Sequence, residues 1–191
     1  LFTSTFLIAD SSALTKNIIE FNNSSYESYL LNNEKILLKS KQVELNLDNK
    51  EINLIGKVKG EFSIKGDAFK IETESLSGNL LSKSILSKEE VLFTTKGFEI
   101  VSSSMEIIQK PKKEIMILFN DANFSKVNPK SKINKGKANK IEFFPSKDLI
   151  LMEGNAEFYQ DNMKIISDQI HYDLTQDRIL KSVNSKLINN L

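Results

Sequence analysis

The sequence predicts an all-β protein made of antiparallel hairpins, and three observations support this prediction. Apolar residues alternate with polar ones in one segment after another, whereas the helical spacing of i, i+3, i+4 and i+7 fits almost nowhere. Short polar turns separate the alternating segments, and such turns join antiparallel strands. One strand-turn-strand pattern also recurs along the chain, which is typical of repeat architectures.

Two hairpins are predicted in the first half of the chain. One joins residues 43–47 to residues 52–58 through the turn "LDNKE". The other joins residues 91–93 to residues 98–100 through Lys96-Gly97, and a serine-rich break then leads to a strand at 105–107. The earlier segment "SALTKNIIEFNNSS" contains too many Asn and Ser residues for a convincing helix, so we predict that it is irregular.

The second half of the chain alternates for longer. An approach strand at 141–143 ends in a turn at 145–148, and the alternation then continues to residue 174. It pauses at Glu153-Gly154-Asn155 and again at Asp161-Asn162, and we predict a hairpin turn at each pause. The lysine-rich stretch 126–140 is predicted to be a loop and edge-strand region.

Direct comparison of the segments reveals an internal repeat. Residues 89–107 align without a gap on residues 154–172, at an offset of 65. Residues 52–58 align on 150–156 at an offset of 98, and Asp67, Phe69 and Ile71 then align on Asp168, Ile170 and Tyr172 at an offset of 101. Such short units cannot bury an apolar face alone. The copies must therefore stack as a jelly roll, a sandwich or a solenoid with an apolar interior.

Composition excludes several classes of function. The 191 residues are 40% hydrophobic, which is enough for a sizeable core. Lys+Arg 26 nearly balances Asp+Glu 25, so no overall field favours nucleic acid, and none is expected as a partner. The chain contains no cysteine, which excludes disulfides and thiolate metal sites.

Catalytic chemistry has little support in the sequence. The single histidine, His171, alternates out of phase with Ile170 and Tyr172 and should face outward, and neither a triad nor a histidine-cysteine metal cluster can be assembled. Carboxylates such as Asp168 and Asp173 leave a glycoside-cleaving enzyme as a minor alternative. We therefore expect a protein that is not an enzyme and needs no cofactor.

The beginning of the sequence resembles the end of an export signal. In "LFTSTFLIADSSA" a short apolar run precedes small residues, with Ser11 and Ala13 spaced as in a cleavage site. We expect residues 1–17 to be a remnant of a signal peptide or of an N-terminal anchor. The alternative is that Phe2, Phe6 and Ile8 belong to a first buried strand.

Two stretches resemble known families. Residues 136–179 contain Gly136-Lys137-Ala138, a strand from 151 to 156 that ends in Gly-Asn-Ala, and a strand from 165 to 173 of the pattern I-x-x-D-x-I-x-Y-D. They resemble the periplasmic lipopolysaccharide-transport bridge proteins of the LptA (OstA-like) type. Residues 26–117, with "LIGKVKG" and "VLFTTKGFEIVSSS", are similar to the LptC relative of the same superfamily.

The resemblance implies a β-jelly roll that is open along one side, holds the acyl chains of lipopolysaccharide in its apolar interior and joins related domains end to end. It divides the chain into an LptC-like part at 18–119 and an LptA/OstA-like part at 120–191. Expected partners are lipopolysaccharide, other jelly-roll transport components docked by β-strand addition, and a second copy of the chain. The expected location is the periplasm, with an inner-membrane anchor left open.

The candidate acyl-chain residues share one parity of the alternation. They are Ile52, Leu54, Val58, Val91, Phe93, Phe98, Ile100, Met105, Ile107, Ile141, Phe143, Ile150, Met152, Ala156, Phe158, Met163, Ile165, Ile170 and Tyr172. Alternation alone equally predicts a closed core, so a structural β-repeat domain of an exported surface protein is the alternative function. The lysines of residues 126–140 are either a solvated loop or contacts for headgroup phosphates.

Overall fold

The computed structural model describes the backbone of residues 5–7, 11–15, 18–29, 35–64, 66–79, 81–82, 84–95, 97–110, 114–127 and 132–189. Within these ranges the side chains are described from residue 18 onward, except those of residues 28, 29 and 35. Among the described residues, no helix has the length and hydrophobicity needed to cross a membrane. The export-signal prediction stays a prediction. Phe6 lies in a short strand, and Phe2 and Ile8 lie outside the described residues.

In the described part of the chain, sixteen strands form one antiparallel sheet, as the alternation predicted. The strands are β1 Thr5–Leu7, β2 Ser11–Thr15, β3 Ile18–Tyr29, β4 Lys35–Asn46, β5 Glu51–Ile64, β6 Asp67–Asn79, β7 Ser84–Ser87, β8 Val91–Thr95, β9 Phe98–Ser102, β10 Ser104–Lys110, β11 Glu114–Val127, β12 Ile133–Phe144, β13 Leu149–Gln160, β14 Met163–Asp173, β15 Arg178–Val183 and β16 Lys186–Asn189. A 3-10 turn, Pro145–Lys147, joins β12 to β13.

The sheet is a meander in which some positions are shared by two short strands. β7 and β8 both pair with β6, β9 and β10 both pair with β11, and β15 and β16 both pair with β14. Each such pair therefore occupies the place of one long strand that is broken in the middle. At the other edge, β1 and β2 share the pairing with β3 in the same way.

A crease runs across the sheet at the level of these breaks. In β5 and β13, bulges at Gly56-Lys57 and Gly154-Asn155 insert an extra residue against both neighbouring strands. Both glycines have the positive φ that such bulges favour, +80° and +73°. We call the line through these bulges and through the breaks after β7, β9 and β15 the crease.

The strands fold over at the crease and thereby form two layers. Phe158 in β13 pairs with Ile165 in β14, and Tyr172 lies seven residues further along β14. In a straight sheet the rings of Phe158 and Tyr172 would therefore lie far apart. Their ring centroids lie only 4.8 Å apart. One half of each long strand therefore packs on the other half. The first layer contains β7, β10 and β15 and the strand halves that pair with them. The second layer contains β8, β9 and β16 and the strand halves that pair with those.

Cross-strand pairs at the crease confirm the internal repeat at an offset of 65. Val91 pairs with Ser102, and the equivalent pair is Ala156 with Ser167. In the first copy the corresponding pair is Val58 with Thr73, which confirms the offset of 98 for β5.

The offset of 101 for the first copy of the second strand is wrong, because Thr73 and Ser167 are equivalent and lie 94 residues apart. The inner face changes parity at the crease in β14, from Ser167 to Ile170. In a sequence alignment, residues on one side of the crease in one copy can therefore be matched to residues on the other side in another copy, which gives a wrong offset.

Three further predictions need correction. The segment predicted to be irregular forms β2 and β3, and β3 pairs along its length with β4. Residues 133–144 form the central strand β12 between β11 and β13, so residues 133–140 of the lysine-rich stretch are neither a loop nor an edge, and residues 128–131 lie outside the described residues. The pause at Glu153-Gly154-Asn155 is a bulge within β13, whereas the turn at Asp161-Asn162 is confirmed.

The inner faces of both layers meet in a single apolar core. Its centre is a cluster of aromatic rings from both layers. Phe93 contacts Phe69 at 5.7 Å and Phe143 at 6.0 Å between ring centroids, and Phe98 contacts Phe143 at 5.2 Å. These rings fix the spacing of the layers, because each pair buries large apolar surface in an offset or edge-on arrangement.

Candidate functional site

Most of the candidate acyl-chain residues lie on the inner face. All are buried except three. Phe98 and Ile165 are partly buried against the core, and Met163 is 40% exposed. Met163 shares the inner face of Ile165 but lies at the start of β14, near the edge strand β16, where little covers it. The structure therefore places Met163 at the exposed edge of the inner face, and its role as an acyl-chain residue stays a prediction.

The two layers are open to each other on the side opposite the crease. There the β5–β6 and β8–β9 turns of the second layer face the β12–β13 and β14–β15 turns of the first, and we call the gap between them the seam. A cavity of 260 Å³ opens in the seam. Its apolar lining comes from Phe69, Phe98 and Phe143, and its polar lining includes Asp67, Asp148, Thr175 and Lys126.

A polar cluster closes the seam beside this cavity. Lys126 Nζ donates hydrogen bonds to the Leu174 carbonyl at 2.5 Å and to Asp177 Oδ1 at 3.0 Å. Asn134 Nδ2 donates to Asp177 Oδ1 and to Tyr172 Oη, at 3.1 Å each, and Tyr172 Oη donates to Asp177. Lys126, Asn134, Tyr172 and Asp177 form what we call the seam cluster. It joins β11 and β12 of the second layer to β14 and the following turn of the first.

The seam cluster is largely shielded from water. Asn134 and Tyr172 are fully buried, and the side chains of Lys126 and Asp177 are each 14% exposed. Burial opposes ionisation of Asp177, but hydrogen bonds from Tyr172 and Lys126 outweigh it and lower the pKa of this carboxyl. Burial and the hydrogen bond to Asp177 raise the pKa of the Tyr172 phenol. At neutral pH Asp177 is therefore a carboxylate and Tyr172 a neutral phenol.

The inner face also becomes accessible at the C-terminal edge of the sheet. Leu187 in β16 pairs with Ile165 and is 57% exposed, and the exposed Met163 lies beside them. The apolar interior thus reaches the edge of the second layer. β16 is the last described strand there and pairs on one side with β14.

The lysines of residues 126–140 do not form a free cationic patch on the described surface. Lys132 pairs with Asp161 at 2.6 Å, and Lys137 pairs with Glu157 at 3.7 Å. Lys140 pairs with Glu142 at 2.6 Å and with Glu153 at 3.0 Å, and these hydrogen bonds raise the pKa of Lys140. Lys130 lies outside the described residues. The pairing weighs against a headgroup site on this face.

His171 and the acidic residues are not arranged as a catalytic or metal centre in the described part of the chain. His171 shares a hydrogen bond of 3.0 Å with Gln169 on the outer face, as the alternation predicted. Asp168 accepts a hydrogen bond from Asn184 at 2.7 Å, and Asp173 accepts one from the backbone of Gln176. Both carboxylates therefore stabilise local turns. The described residues contain no group of three acidic or histidine side chains close enough to bind a metal ion.

The fold is an antiparallel jelly roll that opens along one side onto an apolar interior, and comparison with known proteins assigns the chain to a family. The chain belongs to the family described as LptA/(LptD N-terminal domain) LPS transport protein, whose model matches residues 38–178. The resemblance found in the sequence is therefore confirmed at the level of the family. The division at residue 119 stays a prediction, and the matched range spans it.

The comparison with solved structures agrees with this assignment. The fold resembles the crystal structure of LptH, the LptA homologous periplasmic component of the conserved lipopolysaccharide transport device from Pseudomonas aeruginosa. The TM-score is 0.55 and the sequence identity is 12%, over 63% of this chain and 93% of LptH. At this identity the likeness shows the jelly-roll fold. No curated protein matches the chain.

Sequence reasoning missed part of the inner face, and it placed Tyr172 on that face without finding the polar cluster around it. Phe119 and Phe124 are buried in β11, but the change of parity at the crease hides their alternation. Asn134 and Asp177 are polar residues in a lysine-rich stretch and in a turn, where solvent exposure is the ordinary expectation. The proximity of Lys126 to Asp177 depends on the folding of the strands, which no local pattern encodes.

Proposed function

We propose that this protein is a non-catalytic, periplasmic lipid-binding bridge of lipopolysaccharide transport, which holds acyl chains between its two layers. Membership of the transport family supports the assignment. The single observation that carries it is the seam cavity, whose aromatic lining leads from the surface into the core. Burying a methylene is worth about 0.8 kcal/mol, so an acyl chain of about a dozen carbons gains on the order of 10 kcal/mol gross without a polar anchor.

The open edge of the second layer suggests how the bridge is extended. β16 offers backbone groups for pairing with a further strand, and Met163 and Leu187 extend the apolar face toward the next domain. We therefore propose that related jelly rolls, including a second copy of this chain, dock end to end at this edge. Acyl chains would then pass from one interior to the next without crossing water.

Native mass spectrometry tests lipid binding, with the protein purified from a host that makes lipopolysaccharide and then titrated with lipopolysaccharide. We expect a stoichiometric adduct that weakens by about tenfold or more in Met163→Asp, since the charge is placed on the accessible inner face. Ile55→Asp is the matched control, because Ile55 is 39% exposed on the outer face of β5. A clean apo mass that lipopolysaccharide never shifts would contradict the proposal.

Phe158→Asp is a poor variant for this test. Phe158 is 1% exposed and packs on Tyr172, so a charge there destabilises the fold as well as any lipid site. Met163 avoids this problem because its side chain is already in contact with water.

A structural β-repeat domain with a self-filled core is the second candidate. One observation favours it: aromatic side chains fill the centre of the core, and the seam cavity is only 260 Å³. In that function the seam would never open, and no lipid would shift the mass of the protein.

A further inference from the structure

We propose that the seam cluster is a latch, which must release the β14–β15 turn before an acyl chain enters the interior through the seam. This inference rests on the proposed function, since it specifies how the same interior opens. Its residues are Lys126 at the end of β11, Asn134 at the start of β12, Tyr172 in β14 and Asp177 in the turn that follows β14. Asp177 is the common acceptor of the other three side chains.

The position of the cluster suits it to control opening. The crease holds the two layers together through continuous strands, whereas the seam cluster joins them on the opposite side through side chains. Lys126 reaches across the seam to the Leu174 carbonyl and to Asp177, both of which belong to the turn. Breaking these contacts and those of Asn134 releases the turn from the second layer without breaking a strand pair. The turn stays bonded to Asp148 of the first layer through Leu174 N and Thr175 Oγ1.

The size of the cavity indicates that opening is required. Binding sites for drug-sized ligands enclose about 300–1,000 Å³, and the seam cavity, at 260 Å³, is smaller. Lys126 is part of its lining, and the Lys126 ammonium lies 5.7 Å from the centre of the Tyr172 ring. Phe124 packs edge-on against the same Tyr172 ring, with 5.6 Å between the ring centroids. Movement of Lys126 and the turn would therefore join the cavity to the apolar space around these rings.

The chemistry of the cluster also favours a reversible closure. A buried ion pair pays a desolvation penalty, and apolar residues in its place would often seal the layers at least as well. When the seam opens, Lys126 and Asp177 regain water, which offsets the loss of their mutual contact. An apolar seal would instead expose hydrophobic surface to water on opening. The seam is therefore easiest to part where the latch lies.

A reversible crosslink tests the latch in the full chain. The protein contains no cysteine, so Lys126→Cys/Asp177→Cys provides a unique thiol pair that a reducible bifunctional reagent can join across the seam. The matched control is Lys140→Cys/Glu153→Cys. Its parent ion pair has the same 3.0 Å separation but links neighbouring strands on the outer face. Uptake of fluorescently labelled lipopolysaccharide is followed by stopped flow.

We expect the seam crosslink to slow uptake by about tenfold or more, and reductant to restore the rate. The control crosslink should leave the rate unchanged. Without a crosslink, Asp177→Ala should speed uptake, and Lys126→Met/Asp177→Leu, which replaces the polar latch by an apolar contact, should slow it. Thermal unfolding establishes that each variant is folded. If Asp177→Ala does not fold, the Lys126→Met/Asp177→Leu variant still tests the proposal.

The outcomes separate the latch from the proposed function. If the crosslinked and reduced proteins take up lipopolysaccharide at the same rate, the latch is overturned and lipid binding stands. If the wild-type protein takes up no lipopolysaccharide, the proposed function is overturned, and the latch with it.

Discussion

Small hydroxyl residues line the inner side of the crease and hold the bend in each strand. Ser40 Oγ donates to the Gln42 carbonyl at 2.9 Å, Thr73 Oγ1 to the Ser75 carbonyl at 3.4 Å, and Ser167 Oγ to the Gln169 carbonyl at 2.8 Å. Each bond spans two residues along its own strand. A short hydroxyl side chain satisfies a carbonyl that the bend turns away from the sheet ladder. Larger residues at these positions would hold the layers apart.

Ser167 and Ser102 occupy equivalent positions of the repeat but differ in their bonding. Ser167 Oγ also binds the backbone of Val183, whereas Ser102 Oγ is buried with no hydrogen-bond partner among the residues that the structure describes. We expect Ser167→Ala to lower the free energy of unfolding by about 1–3 kcal/mol. Ser102→Ala should be neutral or stabilising. Urea unfolding of both variants checks this, and equal losses would contradict it.

Asp177 makes stability depend on pH in a defined direction. Its folded pKa is lowered, so its contribution is fully present above the unfolded value of about 3.9 and is lost as the pH falls through the folded pKa. We expect Asp177→Asn to cost about 1–3 kcal/mol at pH 7, and this cost to shrink below about pH 4. Urea unfolding at several pH values measures it.

Asp161→Asn is the control for Asp177→Asn. Asp161 pairs with Lys132 at 2.6 Å in an exposed setting, where ion pairs contribute about 0–1 kcal/mol. A cost for Asp177→Asn that is the same at pH 7 and at acid pH would show that the carboxylate charge is not what stabilises the seam.

At the scale of elements, the edges of the sheet decide what the fold can bind. Natural sheets blunt their edges with charges or short strands. β15 and β16 are short, but the described inner face beside β16 presents Met163 and Leu187 rather than a charge. This edge therefore retains both the backbone groups and the apolar surface required to dock a further strand.

Leu187→Lys tests whether this edge docks a second copy. A lysine on the inner face of an edge strand opposes strand addition, because pairing would bury its charge. We expect sedimentation velocity to show concentration-dependent self-association of the wild-type protein, weakened by about tenfold or more in the variant. Leu81→Lys, at a highly exposed position in the β6–β7 turn, is the control. A wild-type protein that stays monomeric at its highest soluble concentration would contradict the proposal.

Alternation predicts the strands wherever it is unbroken, and it fails at the crease. The hairpins around Lys96-Gly97 and Asp161-Asn162 could be predicted because turn residues separate two runs of constant parity. β3 and the first half of β12 could not, since Glu and Asn residues in β3 and Lys residues in β12 lie on their outer faces. The bulge at Gly154-Asn155 cannot be told from a hairpin turn in the sequence, because Gly and Asn adopt positive φ in bulges as well as in turns.

The same limit applies to the candidate site. Most of the candidate residues on the inner face could be predicted, because burial follows parity within each half-strand, whereas Phe119 and Phe124 were missed where the parity changes in β11. The seam could not, since it depends on which turns meet after the sheet folds along the crease. The seam cluster unites residues up to 51 positions apart in the sequence, such as Lys126 and Asp177.

At the scale of the whole molecule, one creased sheet provides both the core and the route into it. The crease gives every long strand a half in each layer, so the layers cannot separate there, and any opening must occur at the seam or at the edges. Packed aromatic rings fill the centre of the interior, and in the proposed function an acyl chain would replace part of their mutual contact with its own. In the proposed function, transport and structural stability would depend on the same apolar face.

Photocrosslinking at Phe98 tests the central claim, that acyl chains enter the interior through the seam. Phe98 lines the seam cavity and is only partly buried, so a benzophenone amino acid there should form a covalent adduct with lipopolysaccharide after irradiation. The same amino acid at Leu92, exposed on the outer face of β8, should form none. An adduct at position 98 alone would support the account. Adducts of equal yield at both positions, or at position 92 alone, would contradict it.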